Sequence, residues 1–370
     1  MPAVCRQIQQ SHTGRRNVLA VSGEDDVGLA DLPADLPALE AAFSLPPISG
    51  HRYLADGWMN RNWEVFAGSG RYVLRRILDI PAATARSILA AVSWLASRPV
   101  PVAVPVRTVN GDTVVDLEGR RYCLIPWVDG KHRVGGELSL PAVARLGHLV
   151  GTIHQALADV PGECGLTPVP DTLKVRITDA AAAEELIGRI DRIIAGIAEP
   201  TPYDVRVRAL LRRRVELLRG HAHLRSAVTA SLGPFGRIHG DLNMRNLLFR
   251  GEEVVAVLDW DRMRVGAYVD EVVRSGQVVF GGEDGVLDLE RVAVFSAAYR
   301  RVIPVAGQAL ADAVSRLWWK RLTDVWPVEF RYMRGEPSER IAGLFPPGEQ
   351  VLEWWTRHLK EVRDAFADGC

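Results

Sequence analysis

His239-Gly240-Asp241-Leu242-Asn243-Met244-Arg245-Asn246 is followed, after a hydrophobic run, by Val257-Leu258-Asp259-Trp260-Asp261. An acid, an amide five residues on and a second acid thirteen residues later make the set that phosphoryl transfer from a nucleotide needs. One carboxylate accepts the proton of an attacking hydroxyl, while an amide and another carboxylate hold magnesium against the transferring phosphate. A lone His-Gly-Asp is an ordinary turn. The three-part spacing is what gives this one chemical meaning.

The flanking residues predict the geometry. Arg237-Ile238 and Asn246 to Phe249 have strand character, and Val254 to Leu258 is a continuous apolar run of strand length. Gly251-Glu252-Glu253 between the last two predicts a hairpin turn. Asp241 and Asn246 then lie on a loop, and Asp259 at the end of the hairpin. The kinase catalytic loop has the form His-Arg-Asp-x-x-x-x-Asn, with Gly240 here in the place of the Arg.

These motifs resemble those of the aminoglycoside phosphotransferase and choline kinase-like family, small-molecule relatives of protein kinases, over about residues 35 to 300. The resemblance implies Asp241 as catalytic base, Asn246 and Asp259 as Mg2+ ligands, and ATP as phosphoryl donor, GTP fitting the same backbone contacts. It also implies an α+β, bilobal protein-kinase-like fold, with a small antiparallel-sheet N-lobe and a larger, mainly helical C-lobe.

Composition agrees. A chain of 370 residues, 48% hydrophobic, can bury a large core. Its formal net charge is zero, which gives no electrostatic reason to expect a nucleic-acid or membrane surface. The N-terminus carries no signal-like apolar region and no run has the length of a membrane span. Cys5, Cys123, Cys164 and Cys370 lack metal-ligand spacing, so a reducing, cytoplasmic setting is expected.

Along the chain, residues 1–32 lack periodicity and predict a mobile tail. Residues 33–127 predict the N-lobe: a short helix over Leu36–Phe43, strands at Trp63–Phe66 and Arg71–Ile77 joined through Gly68-Ser69-Gly70, a helix over Ala82–Ser97, and strands near Val102–Val109, Thr113–Leu117 and Arg121–Ile125. Residues 128–370 predict the C-lobe, with helices at Leu140–Leu157, Asp179–Ala195, Tyr203–Arg219, Leu287–Arg300, Ala309–Trp326 and Glu349–Ala367, and Pro327 as the stop of the fifth.

The nucleotide site is assembled from weaker signals. Kinases use a basic side chain on the third strand for the α- and β-phosphates. The strand Tyr72-Val73-Leu74-Arg75-Arg76 holds no Lys, and Arg75 is the expected substitute. No Asp or Glu occurs from Ile80 to Gly111, so the helix Glu that braces such a base is missing. Asn60 and Asn62, after Gly57-Trp58-Met59, either contact phosphate or cap the turn; Asn62 is the candidate taken forward. By the resemblance, the carbonyl of Pro126 and the N–H of Val128 form the purine-recognising hinge; proline keeps its acceptor and lacks only the donor.

Three function classes fit. The first is an O-phosphotransferase acting on an antibiotic. That reading, with resistance as its outcome, is favoured; the second is a metabolic kinase for homoserine, choline or a sugar, and the third a protein kinase, disfavoured by Gly240 and by Asp259-Trp260-Asp261, or a silent nucleotide-binding module. The acceptor is expected among residues 287 to 370, where Trp318, Trp319 and Trp326 offer stacking surfaces, together with Asp261, Asp270 and Glu271. Overall neutrality favours an uncharged sugar- or nucleoside-containing acceptor over a polycation gripped by Asp261, Asp270, Glu271 and Glu329. His148 and His154, on a predicted helix, are expected to be satisfied structural histidines.

Overall fold

Gly68, with φ near +56°, turns Arg61–Ala67 (β2) back onto Gly70–Arg76 (β3), and the sheet grows outward from this hairpin. The computed structural model describes residues 32–55, 60–229, 232–334 and 339–368. Residues 1–31 of the expected tail, Gly57-Trp58-Met59 and Cys370 lie outside them, whereas Leu32, its last residue, is buried at the start of a helix. The described chain divides into two compact units. One takes the residues up to Asp79 together with Arg107–Leu124, the other Ile80–Val106 together with Ile125 onward.

In the first unit, Leu32–Phe43 (α1) precedes Ile48–Leu54 (β1), and Val115–Leu117 (β4) and Arg120–Pro126 (β5) complete a five-stranded sheet of order β1-β2-β3-β5-β4. β1 pairs antiparallel with β2, and β2 with β3 in a register that sets Asn62 opposite Arg75. α1 is fastened to β5 by Asp35, which accepts from Arg120 at 2.7 and 2.8 Å and from the Tyr122 hydroxyl at 2.7 Å. The Arg120 hydrogen bonds outweigh burial and hold the Asp35 carboxyl below its ordinary range.

The second unit carries Ala82–Leu95 (α2), Leu140–Ala158 (α3), Ala180–Ala195 (α4) and Pro202–His221 (α5). Two small antiparallel sheets follow: Phe235–Ile238 (β6) with Arg264–Ala267 (β9), and the hairpin Leu247–Arg250 (β7) with Glu253–Val257 (β8). Tyr268–Phe280 (α6), Leu289–Arg300 (α7), Gly307–Thr323 (α8), Trp326–Met333 (α9), Glu339–Ala342 (α10), Phe345–Arg357 (α11) and Leu359–Asp368 (α12) complete it. α3 presses against α7 closely enough that a Cβ on Gly147 would lie 2.1 Å from the Phe295 carbonyl oxygen. Phe295, Tyr299, Trp318, Trp319, Trp355 and Phe366 are buried in the core of this unit. Each such side chain contributes roughly 1.5–3 kcal/mol through the apolar area it removes from water. Among the described residues no helix is long and apolar enough to cross a membrane.

Several elements differ from the sequence expectation. Val102–Val109 joins no strand ladder among the described residues and ends in a turn at Val109; Pro105 within it lacks the N–H that a ladder needs. The Pro101 carbonyl instead accepts the N–H of Val257 at 2.7 Å. Pro327 does not stop a long helix: α8 ends at Thr323, and Pro327 sits in the first turn of α9, where a missing N–H costs nothing. The predicted helix over Glu349–Ala367 is two helices, broken where the His358 ring N–H takes the Trp354 carbonyl at 2.8 Å. On α5, Arg214 is buried and paired with Glu349, and Arg208 reaches Asp191 at 2.9 Å.

Candidate active site

β6 delivers the chain into the His239 loop. His239 is fully buried; its Nδ1 accepts the backbone N–H of Asp241 at 3.3 Å, which leaves Nε2–H to donate to the Leu258 carbonyl at 2.9 Å. Burial pushes its pKa down, against the opposing pull of Glu271. Gly240 follows at φ near +86°, where a Cβ would lie 2.1 Å from the Arg262 carbonyl oxygen and 2.3 Å from Arg264 Nη1. Arg264 Nη1 in turn donates to the Gly240 carbonyl at 3.0 Å. No larger residue fits this position without moving the Arg262 backbone.

Beneath the loop, buried Glu271 accepts the N–H of His239 at 3.1 Å, the N–H of Gly240, and His154 Nε2–H at 2.9 Å. His154 is itself buried, stacked on Tyr268 and within 3.0 Å of the Tyr299 hydroxyl. Burial alone would raise the Glu271 pKa. The His154 hydrogen bond, the neighbouring imidazoles and the Gly240 N–H outweigh it and bring the pKa down to about 2.

Asp241 divides its two oxygens. Oδ1 takes Arg274 Nη2 from α6 at 2.5 Å, and Oδ2 takes Asn246 Nδ2 at 3.3 Å. The same amide nitrogen donates to the Asp241 carbonyl at 2.8 Å, which leaves the Asn246 amide oxygen as its acceptor end. Asn243 caps the short turn Met244–Asn246 by accepting the Arg245 N–H at 2.9 Å. The N–H of Leu258 then binds the Asn246 carbonyl at 2.8 Å, so the peptide groups on both sides of Leu258 are held by the catalytic-loop residues. Asp259, next in sequence, adopts a left-handed conformation with φ 58° and ψ 64°. Such backbone is unfavourable for a residue with a side chain and collects where function requires it.

The donor chemistry fits magnesium. Asp259 supplies carboxylate oxygens and Asn246 an amide oxygen, both hard ligands. Among the described residues no three His, Cys, Asp or Glu side chains gather as a metal cage. Mg2+ is normally held by one or two protein groups plus waters and substrate phosphates, and needs no such cage.

In the first unit, Arg75 Nε donates to Asn62 Oδ1 at 3.2 Å across the β2–β3 pair. Asn60 accepts the Leu78 N–H, just beyond β3, at 2.9 Å. Buried Glu64 joins Arg52 and Arg71 at 2.5 Å each. Pro126 closes β5, and half-buried Val128 follows in the segment that leads to Lys131. Lys131 exchanges two 2.9 Å backbone hydrogen bonds with Phe249 of the β7–β8 hairpin.

The expected acceptor residues need correction. Trp318 and Trp319 are in the core, their indole N–H groups bound to Thr356 Oγ1 and the Thr178 carbonyl at 2.9 Å, and offer no stacking face. Glu271 supports the loop from within and presents nothing to a ligand. Asp270 is paired with Arg316 of α8 at 2.7 Å, and Glu329 with Arg334 at 3.3 Å. Asp261 stands in the turn after Asp259, and Trp326 stays 39% exposed at the start of α9. The contact of Arg274 with Asp241 was not read from the sequence. The one available signal was the four-residue spacing from Asp270 to Arg274, which sets both on one face of α6.

Residues 51–305 match the sequence profile of the phosphotransferase enzyme family (APH). A homoserine kinase of Methylobacillus glycogenes is 25% identical over 282 residues, covering 74% of this chain and 79% of that protein. A homoserine kinase of Pseudomonas aeruginosa (strain LESB58) is 23% identical over 343 residues, covering 90% and 96%. Among solved structures, spectinomycin phosphotransferase APH(9)-Ia in complex with ADP and spectinomycin has a similar fold, with a TM-score of 0.66 at 13% identity over 89% of this chain and 98% of that one.

Proposed function

The chain belongs to the phosphotransferase enzyme family and is a small-molecule kinase, and from that premise we propose that it moves the γ-phosphoryl group of ATP to the hydroxyl of a small metabolic acceptor of the homoserine kind. Asp241 orients the acceptor hydroxyl and takes its proton. The oxygen bonds to the γ-phosphorus as the bridging P–O bond breaks, and ADP leaves with that electron pair. Asn246 and Asp259 would hold magnesium, which when bound neutralises charge on the nucleotide phosphates. Arg75 and Asn62 are assigned to the non-transferred phosphates, and Pro126 and Val128 to the purine edge.

The single observation that carries the catalytic part is the contact of Asp241 with Asn246, on a loop whose backbone is pinned by His239, Glu271 and Arg264. Rigid support of a reacting carboxylate is what efficient phosphoryl transfer requires. Curated relatives with the name homoserine kinase support a metabolic acceptor, and the similarity to spectinomycin phosphotransferase is one of fold. Burial of Trp318 and Trp319 removes two of the stacking surfaces on which a sugar- or nucleoside-containing antibiotic would depend.

The test is ADP release by the purified protein with ATP and Mg2+ over homoserine, choline, spectinomycin and a neutral nucleoside. Turnover is expected with homoserine. Asp241→Asn is expected to lower it by at least ~10²-fold while nucleotide still binds. Near-wild-type turnover in that variant would remove Asp241 from the chemistry.

A further inference from the structure

α6 and α8 each bring toward Asp241 a guanidinium group with a buried nitrogen that has no hydrogen-bond partner. Arg274 Nη2 contacts Asp241 Oδ1 at 2.5 Å, but Arg274 Nη1 is shut away from solvent with no hydrogen-bond partner. Arg321, on α8, donates to Gln277 Oε1 one turn beyond Arg274, and its Nε is likewise buried without a partner. Arg321 is buried and feels the repelling charges of Arg274 and Arg214 against the favourable charge of Asp324. Two of these guanidinium groups have a carboxylate in contact, Asp241 on Arg274 and Glu349 on Arg214, whereas Asp324 acts on Arg321 only from beyond ion-pair distance. Among the described residues no carboxylate lies within ion-pair reach of Arg321. A buried cationic donor left unmet costs about 1–3 kcal/mol, and cationic neighbours add to the cost. An anion arriving from outside the protein would relieve both.

Its position indicates which anion. Asp241 turns Oδ2 toward Asn246, the side assigned to the metal and nucleotide, and Oδ1 toward Arg274. The unmet donors thus belong to the side of the carboxylate turned away from Asn246, which is left for an acceptor hydroxyl.

We propose that Arg274 and Arg321 form an anion subsite for the acceptor, so that the molecule phosphorylated carries a carboxylate a few bonds from its hydroxyl. The inference rests on the phosphotransferase reading of Asp241 and narrows its substrate to hydroxy acids. The carboxylate pairs with the guanidinium groups, and its anchoring sets the hydroxyl beside Asp241. An amide or a simple amino alcohol of the same length lacks that anchor. A site built to pair a charged group discriminates strongly against analogues that leave its own donors unmet.

The experiment compares homoserine and 4-hydroxybutyrate with their primary amides, by calorimetric titration and by ADP release, in the wild type, Arg321→Gln and Arg274→Gln. At least one acid is expected to bind the wild type about 10- to 100-fold more tightly than its amide, the scale of one charge-assisted hydrogen bond. Arg321→Gln is expected to erase that preference by weakening the acid and sparing the amide. A merely structural role would lower Tm and weaken acid and amide alike, which would overturn the proposal. Equal binding of acids and amides by the wild type would overturn it too. So would a variant that loses ATP affinity and keeps the acid preference, because the anion would then be a nucleotide phosphate. Phosphorylation of amide and acid at equal KM leaves the kinase reading standing and removes the subsite. An acid preference lost in Arg321→Gln, without transfer to any acceptor, keeps the subsite and removes the kinase reading.

Discussion

The His239 imidazole donates from Nε2 to the Leu258 carbonyl at 2.9 Å, and so ties the loop of Asp241 to the residue just before Asp259. One buried ring thereby sets the separation of the two carboxylates on which the proposed chemistry depends. The ring holds this position as the neutral imidazole, with Nδ1 free to accept the Asp241 N–H.

A pH dependence follows with a definite sign. The pKa of His239 is depressed below its ordinary 6.5, so the unfolded chain takes up the proton first and stability falls as pH drops below 6.5. Glu271, ordinarily at 4.5 and here at about 2, contributes stability that is present above 4.5 and lost as pH falls toward 2. Urea midpoints measured downward from pH 7.5 are expected to decline in two stages. His239→Gln should flatten the first stage and spare the second. An unchanged profile in that variant would show that His239 is not the titrating group.

Glu271→Gln retains one acceptor oxygen but points an amide –NH2 at groups that are themselves donors. Breaking a buried, multiply bonded charge of this kind costs about 3 kcal/mol, or roughly 6–12 °C in Tm for a unit of this size. Transfer is expected to fall as well, because the His239 and Gly240 N–H groups lose their anchor. A Tm within a degree or two of wild type would mean that Glu271 carries little of the loop's support.

The catalytic hairpin was legible in the sequence because its determinants are local. A strand-length apolar run, a glycine turn and three polar residues all fall within Arg237 to Asp261. β1 was not legible: Ile48-Ser-Gly-His-Arg-Tyr-Leu54 alternates poorly, and it becomes a strand through pairing with β2. α6 was hidden for the opposite reason. Its Val-rich sequence with a central Gly276 has weak intrinsic helix preference, and packing against α8 and the rest of the core overrides it. With α6 unseen, the contact of Arg274 with Asp241 was also out of reach, because the two residues meet only through tertiary packing.

Gly240→Ala puts a methyl 2.1 Å from a backbone oxygen at positive φ, and should cost about 2–3 kcal/mol and lower transfer. Gly251→Ala is the matched control. It has φ near +62° on the hairpin turn, and a Cβ there meets nothing within 4 Å. Only the conformational penalty of about 1–2 kcal/mol is expected, with transfer kept. Equal losses of stability at both positions would rule out the Arg262 contact as the reason for glycine at 240.

Arg75 and Arg76 are adjacent on β3 and point to opposite faces of the sheet. Arg75 donates to Asn62 at 3.2 Å, whereas the charge of Arg76 acts on Asp35, the residue that fastens α1 to β5. The two substitutions should therefore separate cleanly. Arg75→Ala is expected to weaken ATP binding by about 10-fold or more, the scale of a lost charge-assisted hydrogen bond, with little change in Tm. Arg76→Ala should lower Tm, because Asp35 loses a favourable charge, and leave ATP affinity close to wild type. Asn62→Ala should show a weaker form of the Arg75 effect, since it removes one hydrogen-bond partner and keeps the guanidinium charge. Calorimetric titration with ATP and Mg2+ decides the matter, and equal or reversed losses of affinity for Arg75 and Arg76 would take Arg75 out of the nucleotide site.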